Sequence, residues 1–209
     1  MEVEKVYSKI AKKFSQTRSK NITWKGVSQF LKSLERDTKV CFAGCGNGRN
    51  MEYLRDLGIT KSITGFDICS EFVDECKTKQ FNVARGDILD PPFEENSFDA
   101  VLSIAVVHHL RTKEKRIKAV DNLIRLTKPG GRILIFVWAL EQPKDSKRKF
   151  IEQDNLVPFK LKDGTTNERF YHVYKDQELE EDVNTLKKTK TINHYWEKGN
   201  WVIELVKLS

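Results

Sequence analysis

The sequence predicts an α/β fold whose mostly parallel sheet is closed by an antiparallel hairpin near the C-terminus. Three observations lead to this prediction. Short apolar strand patterns alternate with helical patterns through the first two thirds of the chain. Glycines follow the first strand directly, where a nucleotide-binding loop would begin. Two further strand patterns flank the polar turn Lys198-Gly199-Asn200, as in a hairpin.

Each element follows from its own local pattern. The strands before the hairpin are predicted at 40–43, 62–67, 82–85, 98–104 and 132–139. The helices are predicted at 47–57, 112–126 and 177–186, the second with Thr112 as its N-cap. A polar stretch covers 141–169, and the hairpin strands cover 189–197 and 201–207. The hairpin brings the sheet to seven strands, in one domain that spans residues 1–209.

Composition narrows the class of protein. With 32% charged residues and no apolar run of membrane-spanning length, the 209-residue chain is expected to be soluble and to have no membrane partner. The N-terminus lacks the apolar stretch of a signal peptide, so we expect a cytoplasmic protein, with the nucleus as the alternative. The four cysteines show neither metal spacing nor a disulfide framework, which predicts reduced thiols and no metal site.

Three short elements have the order and spacing of a nucleotide-cofactor site. The glycines of the first element allow backbone N–H groups to approach a ligand at the start of a helix. Asp67 ends the second strand, 23 residues after Gly44, where a carboxylate can accept hydrogen bonds from both ribose hydroxyls. Asp87 closes the third element, Ala84-Arg85-Gly86-Asp87. Together the three elements predict a cofactor that contains adenosine.

With the terminal hairpin, these elements resemble the class I S-adenosylmethionine methyltransferases, which have a Rossmann-like fold. The resemblance implies S-adenosyl-L-methionine as cofactor, Asp67 as the ribose acid and Asp87 as the acid that binds the adenine amino group. The cofactor contacts that it implies are Gly44, Cys45, Gly46, Gly48, Asp67, Ile68, Asp87, Ile88 and Ser103. One position departs from the family pattern, because Phe42 stands where an acidic residue is usual, two positions before the first glycine.

Four further segments are similar to the eukaryotic tRNA methyltransferases that esterify 5-carboxymethyluridine at the anticodon wobble position. They are Phe14-Ser15-Gln16-Thr17-Arg18, Ser103-Ile104-Ala105-Val106-Val107-His108-His109, Trp138-Ala139-Leu140-Glu141-Gln142 and Arg169-Phe170-Tyr171-His172-Val173-Tyr174. With Asn200-Trp201-Val202 the similarity runs along nearly the whole chain. It departs after Lys20, where Asn21-Ile22-Thr23-Trp24 replaces the family's Pro-Trp-Pro. The resemblance implies transfer of a methyl group to the carboxylate of that uridine.

The concentration of basic residues near the N-terminus supports an RNA substrate independently of the resemblance. Residues 1–39 contain ten Lys or Arg and four Asp or Glu, a local excess that nearly equals the net charge of +7. We therefore predict a basic helical arm over about residues 1–37, which would contact tRNA phosphates. A second basic cluster consists of Lys144, Lys147, Arg148 and Lys149. The alternative is that these lysines form a solvated helix face.

The implied reaction needs little acid–base chemistry, because a carboxyl group is already ionised at neutral pH. The protein must position the reactants and hold an anion, for which the planar fork of arginine is suited. The candidates are Arg18 and Arg169 as anion holders, His108, Tyr171 and His172 as hydrogen-bond partners, and Trp138 as a stacking platform for the extruded base. Trp138, Tyr171 and His172 could also be structural, and His109 is expected to be a packed histidine with its hydrogen bonds satisfied.

The resemblance further implies a small zinc-binding methyltransferase activator protein as partner. It would pair with the edge strand near Phe81 and Arg85, since an unpaired apolar edge can be covered by a partner strand. Two other functions stay open at this point. One is a small-molecule methyltransferase with the same cofactor motifs. The other is a cofactor-binding module without catalysis, which Phe42 suggests.

Overall fold

A computed structural model describes residues 2–17 and 24–209. The helices are α1 Glu2–Gln16, α2 Lys25–Lys32, α3 Arg49–Leu57, α4 Ser70–Thr78, α5 Lys113–Leu126 and α6 Glu178–Asn184, with a 3-10 turn at Val107–His109. The strands are β1 Val40–Ala43, β2 Ile63–Asp67, β3 Asn82–Arg85, β4 Phe98–Ile104, β5 Thr127–Trp138, β6 Asp154–Lys160, β7 Thr166–His172, β8 Thr189–Trp196 and β9 Asn200–Lys207. Among the described residues, no helix is long and apolar enough to cross a membrane.

The main sheet has seven strands in the order β3-β2-β1-β4-β5-β9-β8. Strands β1 to β5 are parallel, and β9 lies antiparallel between β5 and β8. The predicted seven-stranded, mostly parallel sheet with a C-terminal hairpin is confirmed. The hairpin turn is tight because Lys198 and Gly199 both have positive φ, and Glu197 and Asn200 exchange backbone hydrogen bonds across it.

Two apolar clusters cover the two faces of the sheet, and the alternation along β1 shows how one strand serves both. Cys41 and Ala43 belong to the cluster under α5 and α6, whereas Val40 and Phe42 belong to the cluster under α2 and α3. All four residues are buried, which explains why a parallel central strand is apolar at every position. A third, smaller cluster includes Ala11 and packs α1 against α4.

The stretch predicted as polar over 141–169 contains a strand. Strand β6 pairs with β7 in a separate two-stranded sheet, in which Val157 lies opposite Arg169. Along β6 the residues alternate between exposed and half-buried, so the apolar signal of this strand is weak. Strand β5 begins at Thr127 rather than at residue 132, and its register against β4 shifts between Phe98 and Ala100. The basic arm predicted over 1–37 contains α1 and α2.

We predict that Gly199→Ala destabilises the protein more than Gly164→Ala does. Both glycines have positive φ, so alanine costs about 1–2 kcal/mol of backbone strain at either site. At Gly199 an added Cβ would also lie 2.7 Å from Gln142 Oε1, whereas at Gly164 it would meet nothing within 4 Å. Displacing the Gln142 amide, which donates to the Ala139 and Gly199 carbonyls, adds about 1 kcal/mol. Urea unfolding of both variants measures the difference, and equal losses would contradict it.

Candidate active site

A cavity of about 910 Å³ opens beyond the carboxyl ends of β1, β2, β4 and β5. This is where ligands bind in open α/β sheets, because the loops that follow parallel strands meet at the same edge. Helix α1 contributes Val3, Val6, Tyr7 and Phe14 to the lining, and β7 contributes Arg169, Phe170 and Tyr171. The cavity is therefore bounded on one side by the loops of the sheet and on the other by elements that cover their ends.

The glycine loop presents its backbone to this cavity. Strand β2 fixes the loop, since the N–H groups of Gly44 and Cys45 both donate to the Phe66 carbonyl, at 2.8 and 2.9 Å. At Gly44 the φ is +75°, and an added Cβ would lie 2.4 Å from Val106 Cγ2, so a side chain has no room there. At Gly46 an added Cβ would meet nothing within 4 Å. The loop is thus packed at one glycine and open to a ligand at the next.

The carboxylate of Asp67 holds the loop in place. Its Oδ2 accepts from the Gly46 N–H at 2.8 Å, and its Oδ1 accepts from the Cys69 N–H at 2.9 Å. Burial raises the pKa of Asp67, although these N–H groups oppose the shift. Each oxygen has a second acceptor position, so Asp67 can still accept from two donors in the cavity. Phe42, where the family pattern has an acid, is 3% exposed and packs in an apolar cluster, so its side chain makes no polar contact with the loop.

Most predicted cofactor contacts reach the cavity. Those that line it are Gly44, Cys45, Gly46, Asp67, Ile68, Asp87 and Ile88. Asp87 Oδ1 accepts from the Leu89 N–H at 2.9 Å, which fixes the carboxylate at the cavity wall. Two predicted contacts lie outside the lining. Gly48 is the N-cap of α3, with a φ of +78°. Ser103 is fully buried in β4, and the next two residues, Ile104 and Ala105, line the cavity instead.

A stack of aromatic rings and guanidinium groups forms the opposite wall. The rings of Trp138 and Tyr171 are stacked, with centroids 4.1 Å apart and planes inclined by 16°. The Arg169 guanidinium lies 5.2 Å from the centroids of both Tyr171 and Phe159, and the residue is 5% exposed. In the described part of the chain no carboxylate forms an ion pair with Arg169, and its Nε has no hydrogen-bond partner. A buried cation is costly without a counter-ion, so this wall favours an anionic ligand.

His109 has both ring nitrogens bonded. Nδ1 lies 2.8 Å from the Phe170 carbonyl and so carries the proton, and Nε2 accepts from the Tyr7 hydroxyl at 3.0 Å. Burial lowers the pKa of His109 to about 4, so the ring is neutral at physiological pH. The expectation of a packed histidine agrees with this geometry, and the ring also joins α1 to β7.

His108 was predicted to form a hydrogen bond with the substrate, but in the structure it bonds to the backbone of Trp138. The residue is fully buried and does not line the cavity. Its Nδ1 accepts from the Trp138 N–H at 2.9 Å, which fixes the end of β5. Burial, and after it the neighbouring His109 and Arg169, hold the pKa of His108 well below its usual value. His108 therefore supports Trp138 and is not placed to bind substrate.

His172 is also away from the cavity. Its Nδ1 lies 2.6 Å from Asp154 Oδ1, and its Nε2 lies 2.8 Å from Glu178 Oε1. These partners lie on β6 and at the start of α6, so the ring joins the β6-β7 hairpin to the rest of the fold. The predicted hydrogen bond from His172 to substrate is replaced by this structural role, which sequence spacing could not reveal because the partners come from separate elements.

Comparison with known proteins identifies the family. The model of a methyltransferase domain matches residues 42–135, from β1 into β5. The chain is 34% identical to the tRNA (carboxymethyluridine(34)-5-O)-methyltransferase of Schizosaccharomyces pombe, over 95% of this chain and 93% of that protein. This chain belongs to the tRNA (carboxymethyluridine(34)-5-O)-methyltransferase family.

A longer family member comes from Xenopus tropicalis, with 34% identity over 99% of this chain and 41% of that protein. The chain thus spans about two fifths of that relative's length. One similar solved structure is the complex between the Haloferax volcanii Trm112 methyltransferase activator and a methyltransferase. The matching chain has a TM-score of 0.71 at 15% identity, over 99% of this chain and 98% of that one. This likeness shows the shared methyltransferase fold.

Two residues of the site, Tyr7 and Arg148, were not predicted from the sequence. One predicted residue, Arg18, lies outside the residues that the structure describes. Tyr7 of α1 binds His109 and lines the cavity, which the apolar repeat of α1 could have suggested. Arg148 was assigned only to a basic cluster, yet its guanidinium lies 4.6 Å from the Trp138 ring centroid. Arg18, predicted as an anion holder, and Lys20 of the basic arm lie outside the described residues. Arg169 is therefore the predicted anion holder whose geometry is known.

We predict that His109→Gln reduces the pH dependence of stability. The unfolded chain gains a proton on this histidine near pH 6.5, whereas the folded chain gains it only near pH 4. Stability from His109 is therefore fully present above pH 6.5 and is lost as pH falls towards 4. Between pH 7 and pH 5 the loss is about 2 kcal/mol, and glutamine removes it while keeping a donor and an acceptor. Urea unfolding at both pH values tests this, and an unchanged difference would contradict it.

Proposed function

We propose that this chain transfers a methyl group from S-adenosyl-L-methionine to the carboxylate of a 5-carboxymethyluridine at the tRNA wobble position, giving the methyl ester. Family membership supports the reaction class. The observation that carries the substrate is the buried Arg169 guanidinium, which faces the cavity without a carboxylate partner among the described residues. An acceptor that brings its own carboxylate would provide the missing counter-ion.

The cavity residues fit the cofactor. The spare acceptor positions of Asp67 suit the two ribose hydroxyls, and Asp87 suits the adenine amino group. The open backbone at Gly46 allows close approach of a ligand, as the adenosine-binding loop requires. When bound there, the cofactor supplies a methyl group on a sulfonium, which is ready for displacement by an oxygen nucleophile.

The chain's own residues need only bind, orient and exclude water. Arg169 would hold the carboxylate, with Tyr171 packed against the guanidinium to limit its movement. No residue has to remove a proton, because the acceptor is already ionised at neutral pH. The neutral state of His108 and His109 is consistent with this, since neither ring adds a titrating charge beside the acceptor. Orientation of two reactants in line provides the rate advantage.

Contact with the tRNA backbone is assigned to the exposed lysines of α1. Lys5, Lys9 and Lys12 are exposed on the helix whose other side lines the cavity. Lys147 and Arg148 extend the positive charge along the cavity mouth from the stretch after β5. Counter-ions released from phosphates would favour RNA on this surface.

A heterodimer with a small zinc-binding activator protein is the proposed assembly. Strand β3 is an edge of the main sheet, where Phe81 and Val83 are buried and Arg85 is exposed beside Glu4. The solved relative that forms a complex with a Trm112 activator supports a partner of this kind. A strand added to β3 would satisfy its unpaired backbone groups. A cytoplasmic location fits the free state of the four cysteines and completes the proposal.

Methyl transfer to bulk tRNA tests the proposed function. Labelled S-adenosylmethionine is incubated with the chain alone and with the activator, and the tRNA is digested to nucleosides. The expected product is the methyl ester of carboxymethyluridine. Label on a small molecule but not on RNA would favour the small-molecule alternative. No cofactor binding in calorimetry, even with the activator, would leave only a scaffold role.

We predict that Asp67→Ala weakens cofactor binding by roughly 1.5 to 3 kcal/mol, the usual value of hydrogen bonds to a charged group. The matched control is Asp56→Ala, which removes an exposed acid from α3 without touching the loop. Calorimetry with S-adenosylmethionine measures both affinities, and thermal unfolding of each variant shows whether the fold is retained. Equal affinity in the two folded variants would exclude Asp67 from the site.

We predict that the single-turnover rate changes little between about pH 6.5 and 8.5. The carboxylate is ionised throughout this range. The pKa of His109 is about 4 and that of His108 lies well below its usual value, so both rings are neutral across it. Rapid-quench measurements with saturating cofactor and tRNA test this. A rise of about tenfold per pH unit would instead indicate an acceptor that must lose a proton before it reacts.

A further inference from the structure

The face of the Trp138 ring that points away from Tyr171, called its outer face here, is covered by the Arg148 side chain. Tyr171 stacks on Trp138 at 4.1 Å, so the Arg148 guanidinium, at 4.6 Å from the same ring centroid, must lie on the opposite face. Arg148 is exposed, and within the described ranges its guanidinium forms no ion pair with a carboxylate. A cation held over an indole at an exposed site gains little free energy, so a ligand that stacks on the ring can displace it.

The two guanidinium groups mark the ends of one column. Tyr171 has Trp138 on one face, so the Arg169 guanidinium, at 5.2 Å from its centroid, shares the other face with the His109 ring, at 4.4 Å. The order along the column is therefore Arg148, Trp138, Tyr171, Arg169. Two stacked rings separate the outer face of Trp138 from Arg169, and a carboxymethyl group is too short to cross them. A uridine whose carboxylate binds Arg169 cannot stack on that outer face.

We propose that Trp138 is the stacking site for a base next to the modified uridine in the anticodon loop, and that Arg148 occupies this site until RNA binds. This inference rests on the proposed function and changes the assignment of Trp138 to the extruded base itself. A planar base gains more from stacking on an aromatic ring than an exposed guanidinium does. The displaced Arg148 is then free to bind a phosphate. Phe150, whose ring lies 6.1 Å from Trp138, widens the platform.

Fluorine NMR of the full chain labelled with 5-fluorotryptophan tests the inference. Trp138→Phe identifies the Trp138 resonance among the four tryptophans. The probes are anticodon stem–loop RNAs with carboxymethyluridine, one intact, one abasic at the wobble position, and one abasic at each neighbouring position. We expect the Trp138 resonance to shift with the intact loop and with the loop that is abasic at the wobble position. It should not shift when the stacking neighbour is missing.

The affinities of each variant for the intact loop and for the loop that lacks the stacking neighbour give a ratio, and matched variants test how this ratio changes. Loss of the stacking neighbour should weaken binding to the parent by about fivefold or more, and should have no effect in Trp138→Ala. Arg148→Ala should increase this ratio, because the guanidinium no longer competes for the ring. Lys147→Ala, which removes the same charge without touching Trp138, should leave the ratio unchanged. Equal ratios in Arg148→Ala and Lys147→Ala, or a Trp138 shift that follows the wobble base, would overturn the inference, as would failure of every loop to bind.

Methyl transfer to the same loops, read by mass spectrometry in the presence of the activator, separates this inference from the proposed function. A neighbour-dependent Trp138 shift without any transfer refutes the proposed function and retains the stacking site. Normal transfer with a Trp138 resonance that ignores every base refutes the stacking site and retains the function.

Discussion

The buried guanidinium of Arg169 is the constraint on which the functional half of this structure depends. A cation that is 5% exposed must be surrounded by packed elements, and each of them has a visible attachment. His172 fastens the β6-β7 hairpin through Asp154 and Glu178. His109 binds the Phe170 carbonyl, next to Arg169, and also holds α1 through Tyr7. Together these contacts hold the β6-β7 hairpin and α1 around the guanidinium and keep it away from water.

The fixed charge also determines which chemistry the cavity can support. Burial and the nearby Arg169 both disfavour protonation of His108 and His109, so the permanently charged guanidinium of Arg169 lies beside two neutral imidazole rings. Such an arrangement does not remove protons from an acceptor. It suits a nucleophile that arrives ionised, with the glycine loop and Asp67 at the other wall for the cofactor. The loops of the main sheet therefore suit the cofactor, and the β6-β7 hairpin suits the methyl acceptor.

Sequence patterns predicted the sheet well, because strands such as Val40–Ala43 are apolar throughout and end in glycines. The cofactor wall was also predictable, since its residues follow strand ends that meet at one edge. For the acceptor wall, the resemblance supplied Arg169, Tyr171 and Trp138, which line the cavity, but the strand pairing and side-chain contacts that support them could not be predicted. The alternating, half-exposed residues of Asp154–Lys160 give little apolar signal, and the partners of His172 lie in separate elements. The resemblance implied that Ser103 contacts cofactor and that His108 contacts substrate, whereas packing buries both side chains outside the cavity lining.

The most direct test of the account is a double-mutant cycle between Arg169 and the carboxylate of the substrate. Stem–loops with 5-carboxymethyluridine or its neutral carbamoylmethyl analogue are titrated into the parent and into Arg169→Met, with S-adenosylhomocysteine present to prevent turnover. If Arg169 awaits the substrate carboxylate, the parent prefers the charged loop by roughly tenfold or more, and the variant shows no preference. The same preference in both proteins would show that another group binds the carboxylate and would contradict the account.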